Sequence, residues 1–217
     1  MDRDEILRLI REARAKAGRR GFKQSFDLYV VLDANRIKKE EIQLNEVVPL
    51  PHGFSRAPRV AVIAGGDAAL RAKDAGADAV IPPEEVDRIS TNRSEVRRLV
   101  KSYDFFLAEA ALMPRVGRTL GRYLGPRGKM PIPVPSSSQM AAAIARARSS
   151  VRVRARGQFS LAVKVGDEGM SDEEIADNAM AVLEALRNKL PQGERAIRKV
   201  VVKATMGKPV EAVVTSA

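Results

Sequence analysis

The stretch from residue 59 to residue 81 constrains the fold most. Residues 59–64 form a short apolar strand, Gly65-Gly66 follows, residues 67–75 read as a helix closed by Gly76, and Ala79-Val80-Ile81 reads as a second strand. Strand, helix and strand at this spacing predict a parallel βαβ unit, because parallel neighbours need a crossover to connect them. A further helix over 94–101 leads into an apolar strand at 105–108, and 139–148 is alanine-rich and helical. Residues 58–149 therefore read as an α/β unit of their own. The run Pro51-His52-Gly53-Phe54-Ser55-Arg56-Ala57-Pro58 before it is punctuated like a linker.

The flanks have a different grammar. Residues 4–16 place Ile6, Leu9, Ile10 and Ala13 at helical spacing, and strands are predicted over 26–32 and 46–50. Beyond Ser149-Ser150, residues 151–156 alternate strictly, so a strand there carries Arg152, Arg154 and Arg156 on one face. Gly157-Gln158 predicts a turn, and 159–165 a partner strand returning from it. Ser171-Asp172-Glu173-Glu174 is a capping-box start for a helix reaching about residue 190, and 197–205 reads as a last strand. Together, residues 1–57 and 150–217 predict one antiparallel-sheet α+β domain, with 58–149 as an insertion.

Charge narrows the partners. Residues 110–166 contain no aspartate or glutamate but eleven arginines and lysines, while the chain's formal charge is +11. The excess is a block, and a concentrated positive field attracts a polyanion, nucleic acid above all. With no cysteine and one histidine, the chain holds no disulfide framework, thiolate site or histidine cluster. The opening Met1-Asp2-Arg3-Asp4-Glu5 lacks the basic start and apolar core of a signal peptide. No apolar run approaches the roughly 20 residues of a membrane helix. A cytoplasmic protein with no membrane partner is expected. Aromatic residues at 4% with no tryptophan argue against a stacking platform for single-stranded bases.

The motifs divide between chemistry and architecture. In residues 115–131, glycines let backbone approach a phosphate chain, and Arg118, Arg122, Arg127 and Lys129 supply donors. A solvated basic loop is the architectural alternative. A triphosphate loop is excluded, since Gly128-Lys129 precedes methionine. Gly65-Gly66-Asp67 lacks a dinucleotide fingerprint and reads as a helix cap. His52 reads as a turn residue and Ser136-Ser137-Ser138 as a polar loop before a helix. The arginine ladder fits either a polyanion lying across it or an edge strand protected by charge. Thr205-Met206-Gly207 ends a strand with a hydroxyl, a soft apolar side chain and close-approach backbone. These suit sugar and base edges of structured RNA, or simply a turn. An enzyme using the βαβ unit for a nucleotide lacks an assembled acid–base pair, so no cofactor and no catalytic residue is expected. A general RNA chaperone or repressor that never enters ribosomes is a third reading.

The stretches Gln24-Ser25-Phe26-Asp27, Leu50-Pro51-His52-Gly53, Leu124-Gly125-Pro126-Arg127-Gly128-Lys129-Met130-Pro131 and Thr205-Met206-Gly207 occur in an order that resembles the ribosomal protein L-one family. This is the family of the mobile stalk on the large ribosomal subunit, here in its archaeal form. The resemblance implies a split rRNA-binding domain one, an inserted Rossmann-like domain two, and hinges near 54–58 and 149–150. It implies direct binding of large-subunit rRNA, release of deacylated tRNA from the exit site, repression of translation on the protein's own mRNA, and a monomer when isolated. Carried over, the RNA-contacting residues are Phe26 and its neighbour Ser25, then Thr205, Met206 and Gly207, with Arg156, Arg154 and Lys203 as basic support. Arg118, Arg122, Arg127 and Lys129 form a secondary basic surface.

Overall fold

Helix α1 (Arg3–Ala15) sets Ile6, Leu9, Ile10 and Ala13 on one buried face behind Asp4 and Glu5 in its first turn. The spacing makes the apolar stripe, and the carboxylates favour the positive helix start. Strand β1 (Ser25–Leu32) alternates half-buried and buried residues, so Phe26, Leu28, Val30 and Leu32 all point to the core. The computed structural model describes residues 1–214 and divides into two compact units. Unit one holds residues 1–55 and those from Ser150 onward; unit two is Arg56–Ser149.

In unit one, β1 is flanked by β8 (Ser160–Asp167) and β9 (Ile197–Ala204), with β10 (Val210–Val213) beyond β9. All of these pairs are antiparallel. Helix α7 (Asp172–Lys189) packs beside α1. Its start is a capping box: the Glu174 amide donates to Ser171 Oγ at 3.2 Å, and the Ser171 amide to the Glu174 carboxylate at 2.8 Å. Ile175, Ala179, Val182, Leu183 and Leu186 are all buried. Burying a large aliphatic side chain contributes about 1.5–3 kcal/mol, so this face secures the helix.

Strand β7 (Ser150–Arg156) corrects an expectation. It does not pair with β8 across the turn at Gly157. It pairs antiparallel with β2 (Gln43–Pro49) in a separate two-stranded sheet. Alternation fixes which face of a strand is buried but not which strand lies alongside. Val151, Val153 and Ala155 reach the same core from this ribbon. Gly157, at φ 63°, donates its amide to the Ile42 carbonyl at 3.0 Å, and Leu32 N–H reaches the Phe159 carbonyl at 2.7 Å. Three residues thus pass the chain from one sheet to the other.

Unit two is a four-stranded parallel sheet in the order β4-β3-β5-β6, from β3 (Val60–Ile63), β4 (Ala79–Ile81), β5 (Phe105–Glu109) and β6 (Ile132–Val134). Every residue of β3 is buried, as a sheet covered on both faces requires. Ala61, Ile63, Phe106 and Ala108 pack against α3 (Pro83–Thr91), α4 (Arg93–Ser102) and α5 (Met113–Leu124). Helices α2 (Gly66–Asp74) and α6 (Met140–Arg148) pack together. The fold class is therefore α+β in unit one and three-layer α/β in unit two.

One sequence expectation fails here. The glycine-rich basic stretch is a loop only beyond residue 124, because residues 113–124 form α5 with Val116, Leu120 and Leu124 buried. Pro114 suits a first turn, and the four-residue apolar spacing overrides Gly117 and Gly121. The reading of Gly65-Gly66-Asp67 as a helix cap agrees with the structure: Gly65 is the N-cap residue of α2, and Asp67 pairs with Arg71 at 2.8 Å.

Candidate nucleic-acid interface

Strands β1 and β9 end together, and their ends are tied by side chains. Thr205 N–H donates to the Ser25 carbonyl at 2.9 Å, and Ser25 N–H donates to Thr205 Oγ1 at 3.1 Å. The two hydroxyl oxygens lie 2.8 Å apart. If Thr205 donates to the Ser25 carbonyl, 3.2 Å away, Ser25 donates to Thr205 and keeps open lone pairs. If Thr205 donates to Ser25 Oγ, the Ser25 proton is open instead. Either arrangement leaves at least one hydrogen bond unclaimed among the described residues. That complements a ribose 2′-hydroxyl, which both donates and accepts.

Beyond Thr205 the chain turns sharply. Gly207 N–H donates to the Ala204 carbonyl at 2.8 Å, and Met206 sits between at φ 61°, the only described non-glycine residue with positive φ. Its side chain is 65% exposed. Gly207 is held against the end of α1: a Cβ there would lie 3.3 Å from Ala17 Cα and 3.2 Å from the Ala204 carbonyl. The turn at 205–208 and the loop at 17–24 thus share one end of unit one. Arg19, Arg20, Lys23 and Lys208 are exposed there, as is Phe22 at 47%.

Gln24 lies below this loop at 1% exposure. Its Nε2 donates to the Gly18 carbonyl at 2.8 Å, while its Oε1 has no partner among the described residues. It lines a cavity of about 260 Å³ with Arg14, Arg19 and Glu168. A buried acceptor without a donor costs about 1–3 kcal/mol, so this end of the unit holds unspent polar capacity.

Phe26 is not part of this surface. At 1% exposure it belongs to the core, with the Arg14 guanidinium 5.0 Å from its ring centroid. Arg14 is itself fixed, donating to Asp172 at 2.6 Å and to the Met170 carbonyl at 2.7 Å. Phe26 lies on the inward side of the strand whose outward side carries Ser25. The exposed aromatic is Phe22, which sequence reading passed over because it lies in a Gly-Arg-Arg-Gly-Phe-Lys loop without periodicity.

The remaining basic residues are spread out. Lys203 faces Asp27 across β9 and β1, and Lys164 faces Asp27 from β8. Burial raises the Asp27 carboxyl above its ordinary value, and the two lysines pull it back. Arg154 and Arg156 are exposed on the two-stranded ribbon, opposite the uncharged Asn45 and Gln43. Burial first, then neighbouring Arg154, lowers the affinity of Arg152 for its proton.

In unit two, Arg118 and Arg122 lie on α5, and Arg122 sits 4.8 Å from the Tyr123 ring centroid. Lys129 does not belong to a basic surface. Its ammonium donates to the Val100 carbonyl at 3.0 Å and the Tyr103 carbonyl at 2.5 Å, closing the end of α4. Burial pulls its proton affinity down.

Catalytic machinery does not assemble around His52, which is a turn residue. Its backbone N–H donates to Asn178 at 3.0 Å, and its Nε2 lies 3.3 Å from Asp177. Among the described residues no group of three or more acidic, histidine or cysteine side chains is placed to hold a metal, and no helix is long and apolar enough to cross a membrane.

Residues 12–208 match the model of the Ribosomal protein L1p/L10e family. The chain is 41% identical over 213 residues to large ribosomal subunit protein uL1 of Archaeoglobus fulgidus, covering 98% of this chain and 99% of that one. It is 40% identical to the protein of the same name from Thermococcus kodakarensis, over 97% of each chain. The Thermofilum pendens protein of that name is 45% identical over 194 residues, 89% of this chain and 85% of its own. What the fold describes is a two-unit protein, α+β in one unit and α/β in the other. The chain belongs to the ribosomal protein L1p/L10e family.

Proposed function

We propose that the protein is a constituent of the large subunit of cytoplasmic ribosomes and binds large-subunit rRNA directly through the end of unit one formed by residues 17–25 and 205–208. The observation that carries this reading is the gathering there of a hydroxyl pair with hydrogen-bonding capacity to spare, a strained exposed methionine, an exposed phenylalanine and four exposed cations. Phosphates are held by Arg19, Arg20, Lys23 and Lys208, ribose by Ser25 and Thr205, and base faces by Phe22 and Met206. Gly207 keeps the turn low enough for backbone approach. Lys203, Arg154 and Arg156 extend the field without reading structure. The crossovers at 54–58 and 149–150 act as hinges for the movement of unit two, as a stalk protein that releases exit-site tRNA requires. Repression of the protein's own mRNA follows if a message presents the same RNA shape to this surface.

The test is equilibrium binding to a folded large-subunit rRNA fragment at fixed salt. Thr205→Val keeps shape and removes the hydroxyl, so affinity falls about tenfold, the loss of roughly one charge-free hydrogen bond with its unpaired partner. Thr205→Ser retains it. Equal affinity for wild type and Thr205→Val removes the hydroxyl pair from the interface.

A further inference from the structure

We infer that unit two carries a second anion site, a basin between α4 and α5 that holds consecutive backbone phosphates of RNA. Arg93 and Arg97 on α4, Arg122 on α5 and Arg127 in the following turn line one cavity of about 510 Å³, together with Thr91 and Tyr123. No carboxylate lines it. Four other arginines of the unit hold acids: Arg71 with Asp67, Arg88 with Glu85 and Glu95, Arg115 with Asp87, and Arg148 with Asp78. The four basin arginines pair with no carboxylate among the described residues. Like charges converging on one concavity repel, and an anion placed between them relieves that repulsion.

The basin is held open by its frame. Lys129 pins the 125–130 turn to the end of α4, as described above. The turn is also tied to α5, since Lys129 N–H donates to the Leu124 carbonyl and Gly125 N–H to the Gly121 carbonyl, at 2.9 and 2.8 Å. Arg127 is therefore presented toward α4 by a fixed segment. The chemistry selects a phosphodiester chain over a nucleoside. Thr91 spends its hydroxyl proton on the Arg88 carbonyl at 2.7 Å, the Tyr123 ring is covered by Arg122, and no acid is present to receive ribose hydroxyls. What remains is a set of guanidinium forks, which match phosphate oxygens in pairs. The cavity exceeds one phosphate, so the site spans more than one link of the chain. This site is independent of the surface on unit one.

The experiment uses the full chain and an RNA duplex of arbitrary sequence, which a shape-specific site on unit one does not select. Affinity is measured between roughly 50 and 200 mM salt, where each phosphate contact contributes about 0.9 to the logarithmic slope for a B-form duplex. Replacing Arg93, Arg97, Arg122 and Arg127 by alanine should lower the slope by roughly two to three, while replacing all four by lysine should keep it. Arg71→Ala with Arg88→Ala, which removes paired arginines, should leave it unchanged, as should Thr205→Val. If the alanine variant does not fold, Arg97→Gln with Arg127→Gln, both at exposed positions, carries the same test at about half the effect. An unaltered slope in the folded variant overturns the proposal. So does displacement of the duplex by inorganic pyrophosphate far below the salt that displaces it by screening, which marks a pocket for free phosphates.

Discussion

Met206 combines backbone strain with an exposed side chain, and the two have separable consequences. Positive φ costs a non-glycine residue about 1 kcal/mol, and a side chain 65% exposed recovers little through packing. Met206→Gly should therefore raise the urea midpoint of unfolding by an amount equivalent to about 1 kcal/mol while weakening rRNA binding. A gain in stability with unchanged affinity would mean that the side chain does not touch RNA. The two phenylalanines give the complementary contrast. Phe26→Ala empties a core position and should cost about 3–5 kcal/mol of stability. Phe22→Ala should leave unfolding within about 0.5 kcal/mol yet cost roughly 1–3 kcal/mol in RNA binding if the ring stacks on a base. Sequence could show that residue 26 sits in a strand and that 205–207 ends one. It could not show which side of β1 meets the helices, because Ser25 and Phe26 are adjacent and point oppositely. Nor could it bring residue 22 beside residue 206, a pairing made by tertiary structure alone.

Helix α5 shows what periodicity and punctuation each contribute. Its glycines suggested a loop, yet Val116, Leu120 and Leu124 at intervals of four were the stronger signal. A Cβ added at Gly117 or Gly121 meets nothing within 4 Å. Gly117→Ala and Gly121→Ala should each stabilise the protein by about 0.5–1 kcal/mol, read as a rise in the thermal midpoint. A fall would show that these glycines make contacts the helix geometry does not account for. Helix α3 was missed for a plainer reason: Pro82-Pro83 at its start looks like a break, although proline at the first helical position is favoured. Strand β7 was legible as a strand with an arginine face, but its partner β2 lies more than a hundred residues earlier and leaves no local trace. Short edge strands such as β10 carry too few residues for alternation to be read.

For the whole molecule, the acid-free block from 110 to 166 indicated a polyanion but spans two different surfaces. Part of it lines the arginine basin of unit two, and part forms the ribbon strand of unit one. The surface proposed to read rRNA lies outside it, at residues 17–25 and 205–208. Unit one also contains an acid-sensitive tie. Burial alone would raise the Asp167 carboxyl, but hydrogen bonds from the Ser55 hydroxyl and amide and the Gly169 amide, with Lys164 nearby, hold it below its ordinary 3.8. A depressed folded value means stability present above 3.8 and lost as pH falls through the folded value. Between pH of about 5 and about 3 the urea midpoint should drop more in wild type than in Asp167→Asn; equal drops would assign the acid lability to other carboxylates. The most direct measurement for the account as a whole places a photo-crosslinker at position 206, and another at position 118, in the full chain with total ribosomal RNA. Crosslinks from 206 are predicted to concentrate in one folded segment of large-subunit rRNA, while those from 118 do not share that focus. Crosslinks from 206 that scatter over the rRNA of both subunits would contradict the account.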